Sequence, residues 1–158
     1  MDSHDIAVED RISMDDLLTR YATAIDSRDW ALLDTVFTAN AHLDYRSAGG
    51  VVGPYPEVRG WLAEVLPLFD VTQHLVLNRQ FTAGAGGVDA RSCFLNVNRL
   101  EVGGSPWMFT VGGRYHDRLT ATGTGWRIER RIEHTLWWDN PMPGLPPVPY
   151  PLSEPLER

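Results

Sequence analysis

The chain has 158 residues, 43% of them hydrophobic and 22% charged, which suits one domain with one core and does not suit a disordered segment. A net charge of −7 with no basic stripe weighs against a nucleic-acid partner. The single cysteine, Cys93, allows no intramolecular disulfide and no C-x-x-C zinc spacing. No apolar run reaches membrane-spanning length and the acidic start lacks the apolar region of a signal peptide, so the expected location is the cytoplasm.

Residues 1–12 read as a leader. Ser13, with Asp16 three positions on, has the form of a helix-opening capping box. Met14, Leu17, Leu18, Tyr21 and Ile25 then recur at helical spacing, predicting a helix that ends around Asp26 to Arg28. A second, short helix is expected over "DWALLDTVF", with Trp30, Leu33 and Phe37 on one side. In "AHLDYR", Ala41, Leu43 and Tyr45 share one face of a strand, and His42, Asp44 and Arg46 the other. "SAGGVVGPYP" breaks that strand. A third helix is predicted over 57–69, with Val58, Trp61, Leu62, Val65 and Phe69 buried and Pro67 near its failing end.

From Thr72 onward the pattern changes. "TQHLVLNRQF", "VDARSCFLNVNRLEV", "PWMFTVGGRYHDRLT" and "GWRIERRIEHTLWW" are strand-like, separated by turn-rich segments. The order of helices first and long strands after predicts an α+β domain: a cone-shaped, curved antiparallel sheet wrapped around three N-terminal helices, over residues 13–140. The segment 141–158 holds seven prolines and is expected to be an extended or disordered tail.

The mouth of such a cone is a natural small-molecule pocket. His74 is the first polar residue to weigh, with Thr72, Val76 and Asn78 on its face. A lone strand histidine is most often a hydrogen-bonded core residue, whereas a neighbouring carboxylate makes it a proton-transfer group. Asp26 is the candidate carboxylate; at a helix C-terminus it opposes the macrodipole and calls for a partner. Tyr21 and Tyr45 read either as core or as hydrogen-bond donors to a substrate oxygen. In the last strand Trp126, Ile128 and Ile132 mark one face and Arg127, Glu129 and Arg131 the other, so Arg131 reaches the cavity only if a bulge intervenes. His116, with Arg114 and Arg118, reads as solvated or interfacial; His134 as lining the mouth; His42 and Asp44 as outward; Cys93 as a small core residue. Asn96 and Asn98 share a face with Phe94 and come within reach of the cavity.

Taken together, "YATAIDSRDWALLDTVF", "HLDY", "TQHLVLN", "GGRYHDRL" and "GWRIERR" resemble the SnoaL-like branch of the nuclear-transport-factor-2-like superfamily over about residues 10–138. The nearest pattern is the group of scytalone dehydratase, bile acid 7α-dehydratase and lindane dehydrochlorinase. The resemblance implies cofactor-free elimination on an Asp–His dyad, here Asp26 and His74, 48 residues apart, with Tyr21, Tyr45 and Arg131 as further catalytic residues. It implies no cofactor and no metal, a small hydrophobic ring substrate and no membrane partner. It also implies a homodimer or higher homo-oligomer built through the open sheet face. An isomerase or cyclase of the same fold, and a binding module without turnover, are the alternatives.

Overall fold

The structure is a computed structural model that describes residues 6–141. Its first helix, α1 (Val8–Ser27), buries Met14, Leu17, Leu18, Tyr21, Ala24 and Ile25, one stripe at three- and four-residue spacing. α1 begins five residues before the predicted Ser13. Glu9 and Asp10 suit its positive end, and the Ser13 hydroxyl donates to Glu9 O within the helix (2.8 Å) instead of capping it. The helix stops where predicted, at Arg28, which takes a left-handed conformation (φ 54°) and returns its N–H to Ala24 and Ile25. Asp29 then caps α2 (Trp30–Leu33) by accepting from Leu32 N at 2.9 Å.

α2 is a single turn. Phe37, predicted to lie on that helix, instead opens strand β1 (Phe37–Asp44). A 3-10 turn (Arg46–Ala48), strand β2 (Val52–Pro54) and helix α3 (Tyr55–Val65) follow. α3 ends four residues before the predicted boundary, because Pro67 sits in a separate 3-10 turn (Leu66–Leu68). Four long strands complete the sheet: β3 (Val71–Gly84), β4 (Gly87–Val102), β5 (Ser105–Thr122) and β6 (Gly125–Asp139).

The strand order is β2-β1-β6-β5-β4-β3. The fold is α+β as predicted, with one correction to the sheet: it is mixed. β1 runs parallel to β6, whereas every other pair is antiparallel. A parallel pair requires a long crossover, and here everything between β1 and β6 supplies it. Alternation sorts each strand. On β4, Val88, Ala90, Ser92, Phe94, Asn96, Asn98 and Leu100 are buried; on β5, Phe109, Val111, Tyr115, Asp117 and Leu119. These residues belong to the inner face and share one core with α1, which lies along β3 and meets β6.

β6 carries two irregularities. Arg118 of β5 pairs with Arg130, but Leu119 pairs with Ile128, so Glu129 is the extra residue of a bulge. The bulge turns Arg131, Glu133 and Thr135 inward with Ile128. The second lies between Gly112 and Gly113. A Cβ on Gly113 would fall 2.3 Å from His134 O and 2.5 Å from the Phe94 ring, so only glycine lets β6 and Phe94 approach this closely. Among the described residues no helix is long and apolar enough to cross a membrane. Residues 1–5 of the predicted leader, and 142–158 of the predicted tail, lie outside the described part.

Candidate active site

Asp26 occupies the last turn of α1 and points at β3. Its Oδ2 accepts the backbone N–H of His74 at 2.8 Å, and its Oδ1 lies 2.6 Å from His74 Nδ1. The carboxylate therefore grips one residue twice, through main chain and ring, which fixes the imidazole's orientation. This is the partner that a carboxylate at a helix C-terminus calls for. The His74 side chain keeps 10% of its surface exposed and that of Asp26 27%, so neither is sealed in the core.

The Tyr21 ring stands edge-on to His74, with centroids 6.2 Å apart. Its hydroxyl meets that of Tyr45 at 3.2 Å, and Tyr45 follows directly after β1 on the face that alternation assigns to it. Burial raises both phenol pKa values well above their usual value, so both keep their protons. In a pair of hydroxyls one donates to the other, and the second proton is left to donate elsewhere.

Arg131 lies fully buried beside them. Its guanidinium sits in the corner between the near-perpendicular rings of Tyr21 and Tyr115, 4.0 Å from each centroid. Nε and Nη2 donate to the two carboxylate oxygens of Asp117 at 2.7 and 2.6 Å. Burial works against the charge, and Asp117 more than restores it. Nη1 is buried with no hydrogen-bond partner among the described residues. Tyr115 in turn stacks on Phe94, with centroids 4.5 Å apart.

Glu133 also reaches the inner face. Burial pushes its carboxyl up to about 8, although Arg131 and a 3.4 Å hydrogen bond from Thr135 Oγ1 pull the other way. The β6 backbone here is pinned by Ser47, whose hydroxyl donates to Glu133 O (2.7 Å) and accepts from Thr135 N (3.0 Å). Across the sheet, Asn96 Oδ1 and Tyr115 OH are buried without a partner of hydrogen-bond geometry among the described residues. Burial and then Glu133 raise the Tyr115 pKa, against a smaller opposite pull from the nearby Asn96 amide.

All five predicted site residues are therefore contiguous, linked through Tyr21. Asp117, Tyr115 and Glu133 were not predicted. Asp117 and Tyr115 had a signal: Val111, Gly113, Tyr115, Asp117 and Leu119 share one parity, and an aspartate within such a series asks for a buried cation. Glu133 had none, because its parity depends on the bulge at Glu129.

The predicted His134 lies on the other face, its ring 4.6 Å from that of His116. His116 is half-buried, and burial, then His134 and three arginines, push its pKa down to about 4. An open groove of about 480 Å³ between α1 and β3, lined by Arg11, Asp15, Val76, Asn78, Arg79 and Phe81 among others, includes none of the five site residues. Among the described residues no group of three or more His, Cys, Asp or Glu side chains is placed to hold a metal ion.

A profile described as the SnoaL-like domain matches residues 7–132. Uncharacterised proteins of Mycobacterium tuberculosis and Mycobacterium bovis are 38% identical over 127 residues, covering 80% of this chain and 85% of theirs. Among solved structures, a scytalone dehydratase-like protein of Novosphingobium aromaticivorans aligns with a TM-score of 0.78 at 15% identity, covering 94% of this chain and 96% of that one. A hexachlorocyclohexane dehydrochlorinase of Novosphingobium barchaimii aligns with a TM-score of 0.72 at 17% identity, covering 90% and 97%. At these identities the two structures show a shared fold.

Proposed function

The chain belongs to the SnoaL-like domain family, and on that premise we propose that it is a cofactor-independent lyase acting by proton abstraction and elimination on a small, hydrophobic ring substrate. The single observation that carries this reading is the double grip of Asp26 on His74. A carboxylate accepting from Nδ1–H leaves the Nε2 lone pair as the base, and Nε2 makes no hydrogen bond among the described residues. His74 takes a proton from carbon next to a carbonyl. Asp26 stabilises the imidazolium that forms. The Tyr21–Tyr45 pair donates its spare hydroxyl proton to the developing oxyanion. Arg131, with its charge compensated by Asp117, holds the phenols in place as a positioning residue. The aromatic inner wall of Tyr21, Phe94 and Tyr115 suits a ring of polyketide, steroid or terpenoid type. A homodimer or higher oligomer through the uncovered sheet face completes the reading.

If the proton returns to a second carbon of the same substrate, the same groups give an isomerase. The one spare proton of the phenol pair suits an enolate oxygen, which both reactions share. The base is tested without the natural substrate. Cyclohexanone is incubated with the protein in deuterated water and α-proton exchange is followed by NMR. His74→Ala and Asp26→Asn should each slow protein-dependent exchange by ~10²–10⁴-fold in a folded protein. Exchange at the full rate in His74→Ala removes the mechanism.

A further inference from the structure

Among the polar side chains of the inner wall, four adjacent strands and the end of β1 contribute His74 on β3, Asn96 on β4, Tyr115 on β5, Glu133 on β6 and Tyr45 after β1. His74 and Tyr45, at the two ends of this arc, act in the reading above, whereas the Asn96 amide, the Tyr115 hydroxyl and the Glu133 carboxyl between them have no role there. Among the described residues three buried polar atoms along and beside this arc, Asn96 Oδ1, Tyr115 OH and Arg131 Nη1, make no hydrogen bond of good geometry; the Asn96 amide lies near the Tyr115 hydroxyl, and Arg131 Nη1 is left to a ligand. Glu133 is buried beside its cross-strand partner Tyr115, its carboxyl accepts from the Thr135 hydroxyl, and it stands within electrostatic reach of the phenols of Tyr21, Tyr45 and Tyr115. We propose that Glu133 is the general acid of this site, and that the leaving group it serves is a hydroxyl on an oxygenated ring.

This proposal rests on the His74 reading and adds to it the nature of the leaving group. Nε2 of His74 takes the proton from the carbon next to the carbonyl. That C–H electron pair becomes the carbon–carbon double bond. The adjacent C–O bond breaks onto oxygen, the Glu133 proton goes to that oxygen, and water departs. The imidazolium then returns its proton to the Glu133 carboxylate through solvent. A halide leaves as a stable anion and needs no such donor, so a neutral carboxylic acid in the wall separates dehydration from dehydrohalogenation. The groups facing Glu133 agree with a neutral acid. Arg131 pulls the carboxyl down but donates Nε and Nη2 to Asp117, Asp44 raises it, and the three phenols keep their protons. Asn96 Oδ1 and Tyr115 OH offer an acceptor and a donor to a second oxygen of the same ring.

The experiment compares two probes on the full chain: a β-hydroxy cyclohexanone, and the para-nitrophenyl ether of that alcohol, whose nitrophenolate leaves without a proton. Glu133→Gln should lower water loss by ~10²–10⁴-fold and nitrophenolate release far less. Glu133→Asp should recover part of the loss. His74→Ala should lower both. Equal loss of both probes in Glu133→Gln overturns the acid and leaves the base standing; full activity of His74→Ala on both removes the base. Carbon NMR of labelled glutamate carboxyls, with the Glu133 signal assigned from Glu133→Gln, decides the case even without turnover. A signal of the neutral acid at neutral pH supports the proposal, and a signal titrating in the ordinary carboxylate range overturns it.

Discussion

The two faces of one sheet carry the same residue types and treat them in opposite ways. On the inner face each charge has a dedicated answer: Asp117 for Arg131, Asp26 for His74, and burial that keeps Glu133 neutral. On the outer face His116 sits one residue from Asp117 yet faces His134, Arg91, Arg114 and Arg130, and is held neutral by burial and by like charge. Neighbours in sequence thus live in different electrostatic surroundings, and the two-residue period of a strand is the whole cause. Paired charges on the inside can drive chemistry, whereas a histidine among cations is a poor base.

The comparison breaks most severely at Asp117. Asp117→Ala leaves the Arg131 guanidinium buried without its carboxylate, which should cost ~3–5 kcal/mol in urea unfolding. Arg131→Met combined with Asp117→Leu should recover most of that loss, and failure to recover would show that the pair does not act as a unit. Next comes Glu133. Its carboxyl lies at about 8 in the folded chain against a usual 4.5, so between those values the folded state binds more protons than the unfolded state. Its contribution to stability is present below pH 4.5 and is lost as pH rises towards 8. Glu133→Gln should flatten that decline in a series of melting temperatures.

His116 should give the opposite slope. Its pKa is depressed from 6.5 to about 4, so the unfolded state binds more protons there, and stability falls as pH drops through that window. His116→Gln should remove part of the acid-side loss in the same series, leaving the alkaline side unchanged. The smallest effect belongs to Arg99, whose 2.6 Å pair with Asp70 is 40% and 47% exposed. Arg99→Ala should cost only ~0–1 kcal/mol in urea unfolding, against the buried pair of the same chemistry.

Much of this contrast was legible in the sequence. Alternation placed Tyr45 inward and His116 beside Arg114, and it showed that Arg131 needed a bulge to turn inward; the structure supplies that bulge at Glu129. The contact between Asp26 and His74 was not legible from local pattern, since no period links residues 48 apart; the family resemblance supplied it. Asp117 was readable but hidden by the more conspicuous His116. Glu133 and His134 were not, because one extra residue in β6 exchanges the faces of everything after it. The α1 boundary was misplaced because Ser13 and Asp16 satisfy a capping pattern that the backbone does not use.

The parallel pairing of β1 with β6 also dictates an order of events during synthesis. Phe37 and Leu43 find their partners Ile128 and Arg131 only after the ribosome has made nearly all of the chain. Contacts so distant in sequence close slowly, because the loop's entropy is lost before the pairing repays it. The β3–β4 and β4–β5 hairpins can zip early, while β1 waits for the last strand. Catalytic competence should therefore arrive as the final step of folding, and a nascent chain lacking β6 would present its unpaired strand edge as the point where misassembly begins.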